Sequence, residues 1–367
     1  MKKVLFTATV DSHILQFHLP YLKLFKEKGY EVHVATNGTE EIPYCDIKHV
    51  VNFERNPLKI NNLKAIKQLK KIINKEKFDI IHTHTPMGSV VTRLAAKKAR
   101  KKFHTRVIYT AHGFHFFKGA PLKNWFIFYP VEKYLSKYTD TLILINQEDY
   151  NLAKKKFKKR CRDIEYVPGV GIDEKKFSVV IKKNDKDNLR KKFGLKKDYY
   201  ILTCVARLDK NKNQIFLINL LEKIINKYDK IHLLLVGPDE LDGFYQSVVK
   251  QKKLNNNIHF LGKREDISEI LSITNIVVSS SLREGLPVNV LEAIFARKPT
   301  IAIENRGTRS LINSKNGFIV KSDDYENFIK CIEIIYNKNF TFNDNESKKK
   351  YSLRNILSEL EKIYFGG

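Results

Sequence analysis

This chain lacks any apolar run of the length a bilayer demands: its most apolar later window, Trp125 to Val131, falls far short of the roughly 20 residues of a membrane helix. The apolar stretch after Lys2 and Lys3 is broken at Asp11, too early for the core of an export signal. The expectation is a cytoplasmic protein, at most peripheral to a membrane. Closely spaced cysteines are missing too. Cys45, Cys161, Cys204 and Cys331 lie far apart, which argues against thiol zinc or redox motifs and fits free thiols in a reducing compartment. Acidic residues are scarce, 40 Asp and Glu against 67 Lys and Arg, so the formal net charge is +27. Such an excess favours an acidic partner, whether nucleic acid, an anionic membrane or a phosphorylated ligand. A composition rich in lysine, asparagine and isoleucine explains the total equally well, but not its clustering. Short-period repeats and low-complexity tracts are also missing.

What is present suits a two-domain enzyme. At 367 residues, 43% of them hydrophobic, the chain exceeds one typical domain of about 100–200 residues and can bury a proper core. Short β-branched runs alternate with helical stretches, the pattern of parallel sheets covered by helices. In the first half the strands are Val4–Thr9, Val32–Thr36, Ile80–His84, Val107–Ala111 and Leu142–Ile145, with helices over Asn62–Lys75 and Ser89–Lys101. The segment Lys182–Asn188 has no apolar residue, which places the junction between Val167 and Asn188. A second series follows: Ile201–Val205, His232–Val236, Ile258–Leu261, Ile276–Ser279, Thr300–Ile303 and Phe318–Val320. Phe340–Lys350 is polar enough for a linker into a last helix, Ser352–Tyr364. Ligands of open parallel sheets sit at the carboxyl ends of the strands, so the active site is expected in a cleft between the domains.

The strongest chemical signal runs from Ser279 to Ala293. Small residues and Gly285 let a ligand approach the backbone, and Pro287 suits the first residue of a helix whose free amides point at a phosphate or sugar oxygen. Glu284 precedes that helix and Glu292 lies one to two turns into it, so the two carboxylates can touch different parts of one extended ligand. Taken singly, Glu284 can be a charge satisfying the helix dipole and Glu292 a solvated helical position. A second motif, Thr203 to Asn213, puts Arg207 and Lys212 at another strand end, where two cations can clamp a diphosphate or form a solvated basic turn.

With these residues the chain resembles glycosyltransferase family 4, the retaining enzymes of the GT-B fold. The resemblance rests on Glu284 and Glu292 as a Glu-x7-Glu motif, Arg207 and Lys212 as the diphosphate pair, Gly237-Pro238, and Leu261 to Asp266. Tyr109 to Phe116 and Val167 to Asp173 resemble the bacterial capsule and exopolysaccharide transferases in particular. The chain departs from the family at its first βα turn, where Ala8 to His13 replace the usual glycine-rich loop.

The resemblance implies two Rossmann-like α/β domains with parallel sheets facing across a cleft, and a C-terminal helix crossing back to the first domain. It divides the chain into an acceptor-binding domain over 1–172, a nucleotide-sugar domain over 173–350 and the returning helix over 351–367. It further implies sugar transfer from a nucleotide diphosphate sugar, UDP-linked, with retention of configuration. The acceptor is then a polyprenyl-diphosphate-linked saccharide at the inner face of the plasma membrane. Arg207 and Lys212, with the backbone of Gly285, Leu286, Pro287 and Val288, are expected to hold the diphosphate, and Glu292 and Arg264 the nucleoside. Glu284 and His112 take the catalytic positions, His112 meeting the donor sugar through side chain or backbone.

Asp11, His13 and His18 stand on the acceptor side, His13 or Asp11 orienting a hydroxyl. No obligatory metal cofactor is expected, because the cations already supply the charge. Asp185-Lys186-Asp187 spells a metal-binding Asp-x-Asp string but lies in the polar junction and not after a strand. His82 and His84 alternate on one strand and are read as packing residues. Lys97 to Lys102 and Lys154 to Arg160 flank the aromatic Phe114 to Tyr134, a combination suited to an anionic membrane surface. The competing readings are a nucleotide-sugar epimerase of the same fold and a basic nucleic-acid-binding protein, for which no binding module is recognisable.

Overall fold

Parallel sheets need both faces covered, which apolar strands alternating with amphipathic helices provide, and the chain does this twice. The computed structural model describes residues 1–178 and 183–366, with 178, 183 and 184 described by backbone alone. It divides into two compact units, Met1–Gly171 with Arg354–Gly367, and Ile172–Leu353. Lys182, the start of the polar junction, lies outside the described residues, while the rest of that segment belongs to a helix, Lys183–Lys192. Among the described residues no helix is long and apolar enough to cross a membrane.

The first unit carries seven parallel strands: β1 (Lys3–Val10), β2 (Glu31–Asn37), β3 (Ile47–Val50), β4 (Ile80–Thr83), β5 (Arg106–Ala111), β6 (Thr141–Leu144) and β7 (Asp163–Tyr166). Their order is β3-β2-β1-β4-β5-β6-β7. The central strands read as unbroken apolar runs because helices cover both faces. The edge strands β3 and β7 escape such reading: Ile-Lys-His-Val and Asp-Ile-Glu-Tyr have one strand neighbour each and tolerate charge.

The second unit carries six: β8 (Tyr200–Val205), β9 (Ile231–Val236), β10 (Ile258–Gly262), β11 (Ile276–Ser279), β12 (Thr300–Ile303) and β13 (Gly317–Val320). The order β10-β9-β8-β11-β12-β13 winds outward both ways from β8, as the first sheet does from β1. Each sheet therefore reverses direction once, between β1 and β4 and between β8 and β11. At such a point neighbouring crossovers leave to opposite faces, and a crevice opens at the carboxyl ends.

The final helix, Leu353–Phe365, completes the first unit. Ile356, Leu360 and Tyr364 recur every fourth residue, are all buried, and pack on the cluster around Phe6 and Phe25. Burial of each such side chain stabilises by about 1.5–3 kcal/mol. The Tyr364 hydroxyl lies 2.7 Å from His82 Nδ1, while Arg106 donates to the Tyr364 carbonyl at 3.2 Å. The stretch expected to be a polar linker instead packs within the second unit. Asp344 is buried, accepts from Asn316 at 2.6 Å and caps the helix Asn345–Lys350. Polarity reads there as solvent exposure, whereas the carboxylate is spent on an internal hydrogen bond.

Candidate active site

The crevice of the second sheet is built by loops that follow β8, β9, β11 and β12. The β8 loop and the β11 loop are stitched together: Leu282 donates its amide to the Asn211 carbonyl at 2.8 Å, Asn211 Nδ2 donates to the Arg283 carbonyl at 3.1 Å, and Ser280 donates to the Lys212 carbonyl at 2.7 Å. Asn305, after β12, donates to the Ser281 carbonyl at 2.9 Å and caps its own helix, Arg306–Leu311. Two glycines let these loops close up. A Cβ on Gly307 would lie 2.8 Å from the Glu284 Cβ and 2.7 Å from Pro287 Cδ. One on Gly237 would lie 2.1 Å from the Ala206 carbonyl oxygen, so only glycine brings the β9 loop against the end of β8.

This frame brings together Lys212 and Glu284, residues 72 apart in sequence. The ammonium sits 2.5 Å from Glu284 Oε1, and both side chains are mostly buried, at 18% and 14% exposure. The Lys212 amide is fixed by Asp209 at 2.8 Å, and Asn213 turns the chain through a left-handed conformation into the helix Gln214–Ile224. Opposite, Pro287 stands at the N-cap of the helix Val288–Phe295. The amides of Gly285, Leu286 and Val288 find no acceptor among the described residues. Three free donors beside an ammonium form a ready anion site.

Other expected site residues have partners or surroundings of their own. Arg207 is half exposed and reaches Glu240 at 2.8 and 3.0 Å and Asp209 at 3.3 Å. Arg264 is held by Asp266 at 2.8 Å and lies 5.3 Å over the Phe193 ring. Glu292 is not the solvated carboxylate that its spacing allows. It is partly buried with no hydrogen-bond partner among the described residues, and burial pushes its pKa up to about 7 against the weaker pull of Lys176. No sequence pattern announced that shift, because it depends on tertiary burial.

In the first unit, Asp11 is buried, and both its oxygens are engaged: by Thr36 at 2.5 Å, by the Glu40 amide at 2.9 Å and by Lys48 at 2.8 Å. Burial alone would raise its pKa, but the bonds from Lys48 and Thr36 prevail and hold it below the ordinary value. Its carboxylate closes the loop after β2. His13 and His112 meet edge to face at 4.8 Å between ring centres, and His18 is fully buried beside them. His84, read from the sequence as packing, stacks on His18 at 3.7 Å. Period two on β4 placed His82 and His84 on one side, and the only missing information was what the other loops carried there.

Comparison with known proteins bears on the family and the fold. The family model "Glycosyl transferase 4-like" matches residues 3–146, and "Glycosyl transferases group 1" matches 185–353. The EpsD protein of Bacillus subtilis is 44% identical over 92% of this chain and 88% of its own length. The Escherichia coli UDP-Gal:alpha-D-GlcNAc-diphosphoundecaprenol alpha-1,3-galactosyltransferase is 30% identical over 76% of this chain and 71% of its own. Among solved structures, Anabaena Alr3699/HepE in complex with UDP superposes with a TM-score of 0.76 at 17% identity, covering all of both chains. The protein is thus a glycosyltransferase of GT-B architecture. It belongs to glycosyltransferase family 4.

Proposed function

We propose that the enzyme transfers a sugar from a UDP-linked donor to a polyprenyl-diphosphate-linked saccharide, with retention, in assembly of a capsular or extracellular polysaccharide. The observation that carries the donor half is the pairing of Lys212 with Glu284 beside the unfilled amides of Gly285, Leu286 and Val288. Breaking the anomeric bond sends negative charge onto a diphosphate. Lys212 and these amides meet it, Arg207 swinging from Glu240 adds a second cation, and Glu284 both aims Lys212 and accepts from sugar hydroxyls. Charge-assisted bonds of about 1.5–3 kcal/mol each, made fully only in the transition state, amount to roughly a hundred- to ten-thousand-fold from two cations. Glu292 holds the nucleoside's hydroxyls, Arg264 flanks the base, and His112 contacts the sugar. Mg²⁺ or Mn²⁺ on the diphosphate is not required for this step.

The acceptor half draws on the names of the relatives, two of which act on diphosphoundecaprenol-linked sugars, and on one surface. The helix Leu122–Leu135 exposes Leu122, Phe126, Ile127, Val131 and Tyr134. Lys97 and Lys137 lie over the rings of Tyr138 and Tyr134, and Lys133 over Tyr129. Apolar side chains rimmed by lysines fit an anionic bilayer, each nearby cation contributing about 1 kcal/mol. Nucleic acid is not the partner of this charge.

Donor binding is tested by thermal shift with UDP. Wild type is expected to rise in Tm and Lys212→Ala to lose the shift; equal shifts in both would remove the basis of the assignment. The membrane surface is tested by sedimentation with vesicles. Phe126→Ser with Ile127→Ser should abolish binding to anionic vesicles, and equal partition of wild type into neutral and anionic vesicles counts against it.

A further inference from the structure

The first sheet reverses direction between β1 and β4, and the segments following β1, β4 and β5 there each deliver histidine, His13 from the helix Asp11–Phe17 and His18 from its C-cap. One ring-nitrogen ligand atom from each of His13, His18, His84 and His112 falls within 4.8 Å of the others. These imidazoles are poorly satisfied. His13 Nε2, both nitrogens of His18 and His84 Nε2 are buried without a hydrogen-bond partner, and the contact of His84 Nδ1 with His112 Nε2 is long, at 3.4 Å. A neutral imidazole carries one donor and one acceptor, and buried groups of this kind are nearly always paired. Neighbouring His82 shows the usual outcome, bonded to Thr110 at 2.8 Å and to Tyr364 at 2.7 Å.

From this geometry we infer that His13, His18, His84 and His112 form a binding site for a borderline divalent transition metal of the zinc class. All-imidazole donors suit such ions, whereas magnesium and calcium demand oxygen. The nearest acid in sequence, Asp11, is committed to Lys48 and Thr36. At metal–nitrogen distances of about 2.0–2.1 Å the ligand atoms would draw in to roughly 3.3 Å, a contraction that side-chain rotation delivers. The other His-and-carboxylate group, Glu31, His33 and Glu76, is already filled by the Lys3 ammonium at 3.1 and 2.7 Å. This site ties three segments of the first unit together and leaves the Lys212–Glu284 diphosphate assignment in the second unit unchanged. His112 can then meet a sugar through its backbone.

The test uses the full-length untagged chain, stripped with a chelator and titrated with Co²⁺ and Zn²⁺. Wild type should bind one tight equivalent, develop the visible absorption of nitrogen-coordinated cobalt, and gain in Tm with zinc. His84→Ala and the more exposed His13→Ala should each weaken that equivalent by about tenfold or more and lose the cobalt spectrum. His259→Ala, which breaks the unrelated His232–His259 pair at 3.0 Å in the second unit, should retain both. Far-UV circular dichroism and the UDP-induced Tm shift report folding in each variant. No stoichiometric binding by wild type, or binding and spectrum unchanged in folded His13→Ala, would overturn the inference.

Discussion

Replacing Glu292 by glutamine is expected to make the protein more stable and a poorer binder of its donor. Its pKa is raised from 4.5 to about 7 by burial, so the folded state holds the proton more tightly than the unfolded chain does. A raised carboxyl pKa means that stability is greatest below the unfolded value and falls as pH rises from about 4.5 to about 7. Above that window the full penalty stands. At about 1.36 kcal/mol per unit it reaches roughly 3 kcal/mol, reduced toward about 1 kcal/mol where water reaches the carboxylate. Glutamine carries no charge and escapes the penalty. Glu292→Gln should therefore melt several degrees above wild type at pH 8, at about 2–4 °C per kcal/mol for a domain of this size, and at nearly the same temperature at pH 4.5. UDP affinity should move the other way, by tenfold or more, because an ionised carboxylate accepts hydroxyl bonds about twice as strong as a neutral amide does. Thermal melts from pH 4.5 to 8 with and without UDP read both effects. A stability difference that does not change with pH, or a variant that binds UDP as well as wild type, would refute the reasoning. The buried charge would then be a cost to folding without a matching gain in function.

Three further outcomes follow from the same contacts. Lys212→Ala and Glu284→Ala should each lower turnover by at least about tenfold and stability by about 1–3 kcal/mol, and the double variant should lose less stability than the two singles summed, read by a double-mutant cycle in urea. Asp11→Asn should cost about 1–3 kcal/mol at pH 7, since Lys48 loses its buried partner. Because the Asp11 pKa is lowered on folding, that stability is present above the ordinary aspartate value and lost as pH falls through the folded one, so wild type and variant should converge in acid. Gly237→Ala should displace the end of β8 through its 2.1 Å approach to the Ala206 carbonyl, weakening UDP binding along with stability; an unchanged UDP affinity would show that the loop is not part of the site.

Local pattern carried most of the architecture. Eleven of the strands announce themselves as apolar β-branched runs, since a strand covered on both faces must be apolar along its whole length. The edge strands β3 and β7 do not, because one open edge relaxes that demand. The signal around Glu284 and Pro287 was legible for a similar reason: a loop that turns into a helix with its amides exposed needs small residues and a proline in fixed order. Which side chains finally meet was not legible. Lys212 and Glu284 are joined by β8 and β11 lying side by side, Asp11 is drawn away by Lys48, and Glu292 is perturbed by what buries it. The four histidines converge for the same reason, from β1, β4 and β5, strands adjacent in the sheet and distant in the chain. Secondary structure follows from the spacing of neighbours along the backbone, whereas burial, pairing and charge environment are set by neighbours across the sheet, and only the folded order of strands supplies those.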